Sequence, residues 1–406
     1  MSSSCFMTVL KEYQEGKTTF LSADVDHYSS KKGQPTSDMP VFYNPRMRIN
    51  RDLSVLVLDT YCKTNQVDLI CEPLTGSGIR SLRYLNEVKG DFHSVMFDTN
   101  SEAVEIAERN VASNGFDERA QVILGDARIL LLTESRGKRF DFIDIDPFGN
   151  PNPFLNAAIQ GINPRRGLIG ITATDMPALC GVYPRVALRK YGGISIRAPF
   201  VHELALRLVI GSAFSVAGMN DFSISPILSL STDHYIRVWI ETKASKSEGN
   251  QDSERIGLVR YCRHCMAWDV IPLLALKRAS EFRHIRSGCP DKVEVAGPMW
   301  IGSIQDPEFV TQTAETMEEH KNSISRRTKL MLNLITQESS IQEFYLDIHQ
   351  MCDIYSWPPP KQDDVIKSLE ERGYKCVRSH FKPTAIRTNA TVKEVVKVIK
   401  SILGER

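Results

Sequence analysis

Residues 140–149 place a carboxylate and a flat aromatic ring side by side at the end of a strand. They read FDFIDIDPFG, an apolar, strand-like run that stops at an acid, a proline, an aromatic residue and a glycine. In an open α/β sheet, ligands bind beyond the carboxyl ends of the strands, which is where Asp146 and Phe148 lie if this strand is central. The structural alternative is a strand that ends in an Asp-Pro turn, with Phe148 in the core.

This pair of residues suits proton removal from the amine of a nucleobase. Such an amine is a poor nucleophile because its lone pair is delocalised into the ring, so it needs an acceptor that takes its proton as a methyl group arrives. Asp146 is such an acceptor, Pro147 fixes the local backbone, and Phe148 can stack on an extruded base. The pattern is similar to the Asp-Pro-Pro-aromatic tetrapeptide of enzymes that methylate exocyclic base amines, with one proline fewer.

Residues 67–84 (VDLICEPLTGSGIRSLRY) indicate a strand, a glycine-bearing turn and a helix. Gly76 and Gly78 let a ligand approach the backbone closely, but Ser81 replaces the third glycine of the dinucleotide fingerprint. This favours a cofactor without a phosphate, such as S-adenosylmethionine, over a nicotinamide cofactor. A purely structural turn is the alternative.

Two further acids follow predicted strands. The strand at residues 93–98 ends in Asp98, where a carboxylate can accept hydrogen bonds from two ribose hydroxyls. The strand at residues 121–125 leads to Asp126 and Ala127, where a carboxylate and a backbone N–H can read the edge of an adenine. Asp126 is equally a helix N-cap, and both interpretations can hold together.

Residues 41–52 (VFYNPRMRINRD) combine two aromatic rings with three arginines. They suit a wall on which a base stacks, with anion contacts beside it. A turn followed by the solvated start of a helix is the alternative.

Composition sets the wider limits. The chain has 406 residues, a formal net charge of +1 and nine cysteines, which predicts two or three domains, a local rather than global contact with nucleic acid, and a reducing cytoplasm. The nearly apolar run at residues 208–219 is too short to cross a bilayer, so we expect no membrane span. Residues 1–40 are predicted to be an N-terminal extension with a mobile loop at about 22–39.

The polar stretch at residues 242–255 predicts a boundary between a domain at 41–245 and a C-terminal domain at 255–406. The second domain begins with a zinc-knuckle-like hairpin at 258–302. There Cys262 and Cys265 form half of a zinc site, and Cys289 and His284 can complete it, with His264 as another nearby histidine. A reduced pair of cysteines without metal is the alternative.

The remainder, residues 307–406, is predicted to be helical with a winged-helix-like end. Helices are expected at 307–337, 340–354 and 361–372, followed by a wing at 374–389. Residues 372–406 hold nine basic residues against two acids, interleaved with His380 and Phe381, which favours contact with RNA over a merely solvated face.

With these motifs the chain resembles the tRNA (guanine-26 N2) dimethyltransferase family, in its archaeal form. The resemblance is carried by residues 41–45, 50–52, 144–149, 172–175, 184–185, 189–191, 296–302 and 380–384. It implies an α/β fold: a Rossmann-like class I methyltransferase sheet with a C-terminal antiparallel strand pair, at 222–230 and 234–241, and a smaller α+β C-terminal domain.

The resemblance also implies roles for individual residues. S-adenosylmethionine is expected to bind Arg51, Arg80, Asp98, Asp126 and Ala127, beside Gly76 and Gly78. Asp146 is expected to take the amine proton, while Phe42 and Phe148 sandwich the flipped guanine. The expected products are N2-methyl- and N2,N2-dimethylguanosine, the expected partner is tRNA, and the chain is expected to be monomeric. An amino-methyltransferase acting on another RNA or DNA base is the alternative.

In the zinc knuckle the chain departs from the family. Many members have two Cys-x-x-Cys pairs there; Cys289 matches the last cysteine, and Arg286 stands where the third is missing.

Overall fold

The computed structural model describes residues 8–29, 35, 38–232, 234–290 and 293–404. Fifteen α-helices and fifteen strands are present within these ranges. The strands are β1 Leu10–Glu15, β2 Thr18–Ala23, β3 Leu69–Glu72, β4 His93–Asp98, β5 Ala120–Leu124, β6 Phe142–Ile145, β7 Gly167–Ala173, β8 Phe222–Thr232, β9 Tyr235–Ala244, β10 Ile256–Tyr261, β11 Trp268–Pro272, β12 Glu294–Trp300, β13 Leu346–Asp347, β14 Cys376–Arg378 and β15 Ala385–Thr388.

The helices alternate with the strands in the first half of the chain and dominate the second half. They are α1 Val25–Tyr28, α2 Arg48–Cys62, α3 Ile79–Glu87, α4 Ser101–Ser113, α5 Ala127–Thr133, α6 Asn152–Gly161, α7 Met176–Leu179, α8 Pro184–Tyr191, α9 Val201–Met219, α10 Lys246–Asp252, α11 Pro307–Glu319, α12 Arg326–Glu338, α13 Ile348–Tyr355, α14 Gln362–Glu370 and α15 Val392–Ile402.

A seven-stranded sheet in the order β5-β4-β3-β6-β7-β9-β8 organises the fold. Strands β3 to β7 are parallel, and β8 and β9 form an antiparallel pair, as predicted. The central strands are almost entirely buried and apolar because helices cover both faces of a parallel sheet. The strand order reverses between β3 and β6, and such a switch point leaves a crevice at the carboxyl ends of the strands.

The chain divides into two compact units. The first comprises residues 1–171 with 312–330, and the second comprises residues 172–311 with 331–406. These borders differ from the predicted boundary near residues 245–255, where β9 is followed by α10. The assignment of 41–245 to methyl transfer and 255–406 to tRNA binding stays a prediction about function.

The second unit contains two small sheets. One has the order β11-β10-β12 and carries the knuckle between β10 and β11. The other has the order β13-β15-β14, in which β14 and β15 form an antiparallel hairpin between α14 and α15. This hairpin is the predicted wing.

Some local predictions were wrong. Within the predicted mobile loop, residues 22–23 end β2 and residues 25–28 form α1, because the side chain of Asp24 accepts a hydrogen bond from the N–H of Asp26 and caps that turn. Residues 30–34, 36 and 37 of the loop lie outside the described residues. The antiparallel β1–β2 hairpin was also missed.

The helix expected at 307–337 is two helices, α11 and α12. The chain breaks after α11 because His320 hydrogen-bonds Asp59 at 2.7 Å, while the N–H of Ser325 donates to Asp52 at 2.9 Å. The helix expected at 340–354 begins only at Ile348.

The helix α9 is long and apolar enough to meet a length-and-composition criterion for a membrane span. No other helix among the described residues is both long and apolar enough, and 61% of the apolar segment of α9 is buried inside the protein. A buried core helix meets the same criterion.

Candidate active site at the carboxyl ends of β3 and β6

The predicted chemical residues gather at the switch point of the sheet. Strands β3 and β6 are neighbours, with Cys71 paired to Ile143, so Glu72 at the end of β3 and Asp144 near the end of β6 lie on adjacent strands. Asp146 follows β6 directly. Its side chain is 21% exposed, so it is not packed into the core.

The buried guanidinium of Arg80 binds this group of acids. Its Nη2 donates to Oδ2 of Asp146, and its Nη1 lies 3.5 Å from Oδ2 of Asp144. Nη1 also donates to Oδ1 of Asn50 at 2.8 Å and to Oγ of Ser54 at 3.2 Å. Arg80, expected to contact the cofactor, therefore orients the carboxylate of Asp146.

Glu72 is a buried acid of this site that sequence reasoning missed. Its Oε2 accepts from Oγ1 of Thr75 at 3.1 Å and from the N–H of Ser81 at 3.0 Å. Burial raises the pKa of Glu72 to about 7, and Asp144 adds to this, although Arg80 acts in the opposite direction. The available signal was an acid at the end of a predicted strand, directly before the glycine turn; Asp98 was identified from its own position at the end of the next strand.

The glycine turn and Asp98 form one hydrogen-bonded unit. Gly76 and Gly78 lie in the left-handed region, at φ +55 and +77. The N–H of Gly76 donates to Oδ2 of Asp98 at 2.9 Å, and the N–H of Asn100 donates to Oδ1 at 2.9 Å. The carboxylate is therefore fixed beside the turn, and each of its oxygens has a second lone pair for a ligand hydroxyl.

The structure brings Phe42 and Phe148 into contact. Their ring centroids are 4.6 Å apart and their planes meet at 83°. Phe148 is 61% exposed, so the alternative that it lies in the core was wrong. Because the rings are in direct contact and nearly perpendicular, a base can stack between them only if they move apart and one ring rotates.

The guanidinium of Arg51 forms a buried ion pair with Glu15. Its Nε and Nη2 donate to the two carboxylate oxygens of Glu15 at 2.7 and 2.5 Å, and Nη2 also donates to the carbonyl oxygen of Asn44. Burial alone would raise the pKa of Glu15, but the charge and hydrogen bonds of Arg51 lower it to about 2. A contact of Arg51 with the cofactor stays a prediction.

Asp126 caps helix α5. Its side chain accepts from the N–H of Arg128 at 2.9 Å and pairs with the Arg128 guanidinium. The N-cap interpretation is therefore confirmed. Recognition of adenine by Asp126 and by the buried Ala127 stays a prediction.

The four predicted metal ligands lie together in the second unit. The ligand atoms of Cys262, Cys265, His284 and Cys289 are all within 4.8 Å of one another. Sγ of Cys265 is 3.7 Å from Nδ1 of His284. Three thiols and one imidazole at these separations match a tetrahedral Cys₃His zinc site. His264 is exposed and outside this group.

Part of the expected basic RNA surface is buried. His380 pairs with Glu338 and accepts from the N–H of Ser231 at 3.3 Å. Arg387 pairs with Glu203 at 2.7 Å and with Glu338 at 3.1 Å. The prediction that His380 and Arg387 contact RNA was therefore wrong, because buried acids already bind both side chains. Phe381 is buried too, and Arg406 lies outside the described residues.

Comparison with known proteins gives a consistent result. The family model described as N2,N2-dimethylguanosine tRNA methyltransferase matches residues 16–400. The tRNA (guanine(26)-N(2))-dimethyltransferase of Methanobrevibacter smithii is 35% identical over 394 residues, which are 97% of this chain and 98% of that protein. The tRNA (guanine(26)-N(2)/guanine(27)-N(2))-dimethyltransferase of Aquifex aeolicus is 32% identical over 372 residues, which are 90% and 91% of the two chains.

Among solved structures, Trm1 from Pyrococcus horikoshii with S-adenosyl-L-methionine matches with a TM-score of 0.81 and 29% sequence identity. The match covers 96% of this chain and all of that one.

The substitution Glu72→Gln tests the raised pKa of the buried Glu72 carboxyl group. Because the folded-state pKa is raised from 4.5 to about 7, the charged carboxylate destabilises the fold increasingly as pH rises from 4.5 to 7. We expect the free energy of unfolding of E72Q, relative to wild type, to rise by up to about 3 kcal/mol between pH 5 and pH 8. Urea unfolding at both pH values measures this.

The exposed control E105Q should show no such change. An E72Q difference that is equal at pH 5 and pH 8 would contradict the assigned pKa.

Proposed function

The chain belongs to the N2,N2-dimethylguanosine tRNA methyltransferase family, and we propose that it dimethylates guanine 26 of tRNA at a site built around Asp146. It is an S-adenosylmethionine-dependent enzyme that methylates the N2 amine of guanine in tRNA, as the sequence motifs predicted. The finer assignments, to position 26, to two methyl groups and to particular residues, are the proposal.

The arrangement of Asp146, Arg80 and Phe148 carries the proposal. Arg80 holds Oδ2 of Asp146 from the buried side, so we assign Oδ1 to the guanine amine. There it accepts a hydrogen bond from N2–H and takes the proton during transfer. Phe148, two residues on and 61% exposed, offers its ring to the extruded guanine. Phe42, in contact with that ring, forms the second wall.

The residues present fit the cofactor. A Cβ at Gly76 would lie 3.2 Å from the carbonyl oxygen of Phe42, so the turn brings bare backbone close to the substrate-binding rings. Asp98, held by two backbone N–H groups, would bind the ribose hydroxyls, and Asp126 with Ala127 would bind the adenine. When bound, S-adenosylmethionine supplies an electrophilic methyl group. The protein contributes alignment of the amine and removal of its proton.

The second methylation needs the same carboxylate again, after Asp146 has released the first proton to solvent and a second S-adenosylmethionine has replaced the spent cofactor. After one transfer the amine still carries one N–H, and rotation about the C2–N2 bond directs it at Asp146. Because the hydrogen bond from the buried Arg80 fixes its carboxylate, Asp146 keeps its position for both steps.

We further propose that the chain acts as a monomer in the cytoplasm, with tRNA as its macromolecular partner. None of the eight described cysteines is in a disulfide bond, which suits a reducing compartment.

Transcripts with single replacements test the site of methylation. Purified protein should transfer label from S-adenosylmethionine to wild-type tRNA and to a transcript with guanine 27 replaced by adenine, but not to one with guanine 26 replaced. Nucleoside mass spectrometry should identify N2,N2-dimethylguanosine. Equal label in the wild-type and position-26 transcripts would contradict the assignment to guanine 26.

The substitution Asp146→Asn tests the proton acceptor. We expect at least a ~100-fold loss of kcat, the scale of one positioned acid–base group, with binding of S-adenosylmethionine and tRNA retained. Single-turnover methylation and calorimetric cofactor binding measure the two effects. The control D91N removes a carboxylate that is 97% exposed and should be fully active. A D146N enzyme with the wild-type rate would refute the role of Asp146.

We also propose that Cys262, Cys265, His284 and Cys289 hold a structural zinc ion. Four protein ligands leave no open coordination position, so this ion would stabilise the knuckle without taking part in methyl transfer.

Metal analysis tests the zinc proposal. Protein purified from zinc-supplemented cells should carry about one zinc per chain, and H284A should lose most of it because a ligand is removed. The control H264A alters the exposed histidine outside the group and should keep its zinc. Metal-free wild-type protein, or an H284A variant with full zinc content, would contradict the site.

A further inference from the structure

We propose that residues 182–189 together with Arg197, which we call the α8 surface, contact the tRNA substrate through phosphate binding and base stacking. This inference rests on the proposed function and extends it by naming a substrate-binding surface. The surface belongs to the second unit, and its residues come from a different part of the sequence than the basic C-terminal segment that was expected to bind RNA.

The charge of this part of the chain is strongly one-sided. Residues 176–202 contain no aspartate or glutamate, but they contain Arg185, Arg189, Lys190 and Arg197. The chain as a whole has a formal net charge of only +1. A local cationic region in a nearly neutral protein is the electrostatic feature expected at a nucleic-acid contact.

Helix α8 turns its basic side chains outward. Ala187 and Tyr191 are buried and anchor the helix. Arg185 and Arg189, four residues apart, share the opposite face with Leu188, which is 53% exposed. The face therefore presents two cations at the spacing of one helical turn.

Three arginines of this surface have no acidic partner among the described residues. The neighbouring Lys190, in contrast, pairs with Asp175 at 2.6 Å. Within the described ranges, no aspartate or glutamate forms an ion pair with Arg185, Arg189 or Arg197. Arginines without acidic partners beside an acid-free segment can release counterions from a phosphate backbone.

The loop before α8 fixes an aromatic ring next to these cations. The N–H groups of Val182 and Tyr183 both donate to the carbonyl oxygen of Pro177, at 3.0 and 3.3 Å. Tyr183 is 57% exposed, although a tyrosine ring is usually at least half buried. It is therefore held by its backbone with the ring facing solvent, which is the geometry of a stacking platform.

Arg197 joins the same surface through a close backbone contact. Gly181 has φ +77, and a Cβ there would lie 3.1 Å from the carbonyl oxygen of Ser195 and 3.2 Å from the carbonyl carbon of Ile196. This approach brings the loop that carries Arg197 against the loop that carries Val182 and Tyr183.

The combination identifies RNA as the partner. A protein partner would be expected to meet an apolar patch with charges of both signs at its rim. Val182 and Leu188 are exposed on this surface, but every charged side chain of residues 176–202 is basic. Phosphates pair with the arginines, and an unpaired base stacks on Tyr183.

Binding as a function of salt tests the proposal with the full-length protein. We expect R185A/R189A to weaken binding of a fluorescent tRNA about tenfold or more and to reduce the slope of log K against log salt by about 2, one unit for each lost phosphate contact. We expect Y183A to weaken binding at least about fivefold, with little change in the slope, because stacking is not ionic. Fluorescence anisotropy from 50 to 300 mM salt gives both quantities.

The matched control is R136A/R139A, which removes two exposed arginines that precede β6, at the end of that strand away from Asp146. It should keep the wild-type affinity and slope. All variants should bind S-adenosylmethionine as wild type does, and R185A/R189A should raise the KM for tRNA with little change in kcat.

The outcomes separate the two proposals. If wild type methylates tRNA but R185A/R189A and Y183A keep the wild-type affinity, slope and KM, the α8 surface is wrong and the proposed function stands. If wild type does not methylate tRNA, the proposed function fails. Loss of affinity in R136A/R139A equal to that in R185A/R189A would show a general effect of charge and would also overturn the α8 surface.

Discussion

The buried guanidinium of Arg80 is the interaction on which the active site depends. Glu72, Asp144 and Asp146 lie at or next to the carboxyl ends of the neighbouring strands β3 and β6, so they are close together. Three carboxylates at such short separations would repel one another, and burial would remove their hydration, which is energetically costly. One cation among them, itself hydrogen-bonded by Asn50 and Ser54, makes the cluster tolerable. The raised pKa of Glu72 indicates that the compensation is incomplete.

A second ionic network supports the same helix. Arg83, one turn after Arg80 on α3, is fully buried and donates to Asp52 at 2.6 Å and to Glu87 at 2.7 Å. Because α2 supplies Asp52 as well as Asn50, the two networks fix the first half of α3 against the beginning of α2. Removing one partner from such a network leaves a buried charge without compensation, which typically costs 3–5 kcal/mol. The position of the Asp146 carboxylate therefore depends on helix packing as much as on its own strand.

Local patterns predicted most of the sheet and most of the site. Strand, turn and helix signals are short-range, so Asp98, Asp126 and Asp146 could be placed at the ends of strands from their neighbours alone. The pairing of Arg80 with Asp146 could not, because 66 residues separate them and many arrangements fit the same local pattern. The β1–β2 hairpin was missed for a different reason: its outer strand, β1, is mostly exposed and polar and lacks a strong alternation of apolar residues.

The basic residues show why composition alone is a poor guide to an RNA-binding surface. The segment after residue 372 has the larger count of cations, yet Arg387 and His380 serve the interior, because Glu203 and Glu338 reach them from distant parts of the chain. Helix α8 has fewer cations, but an acid-free stretch surrounds it and its buried face is made of Ala187 and Tyr191. Its arginines therefore remain exposed. A cation can bind a phosphate only if the fold has not already paired it with an acid. A buried arginine almost always has such an acidic partner, so it is not available to RNA.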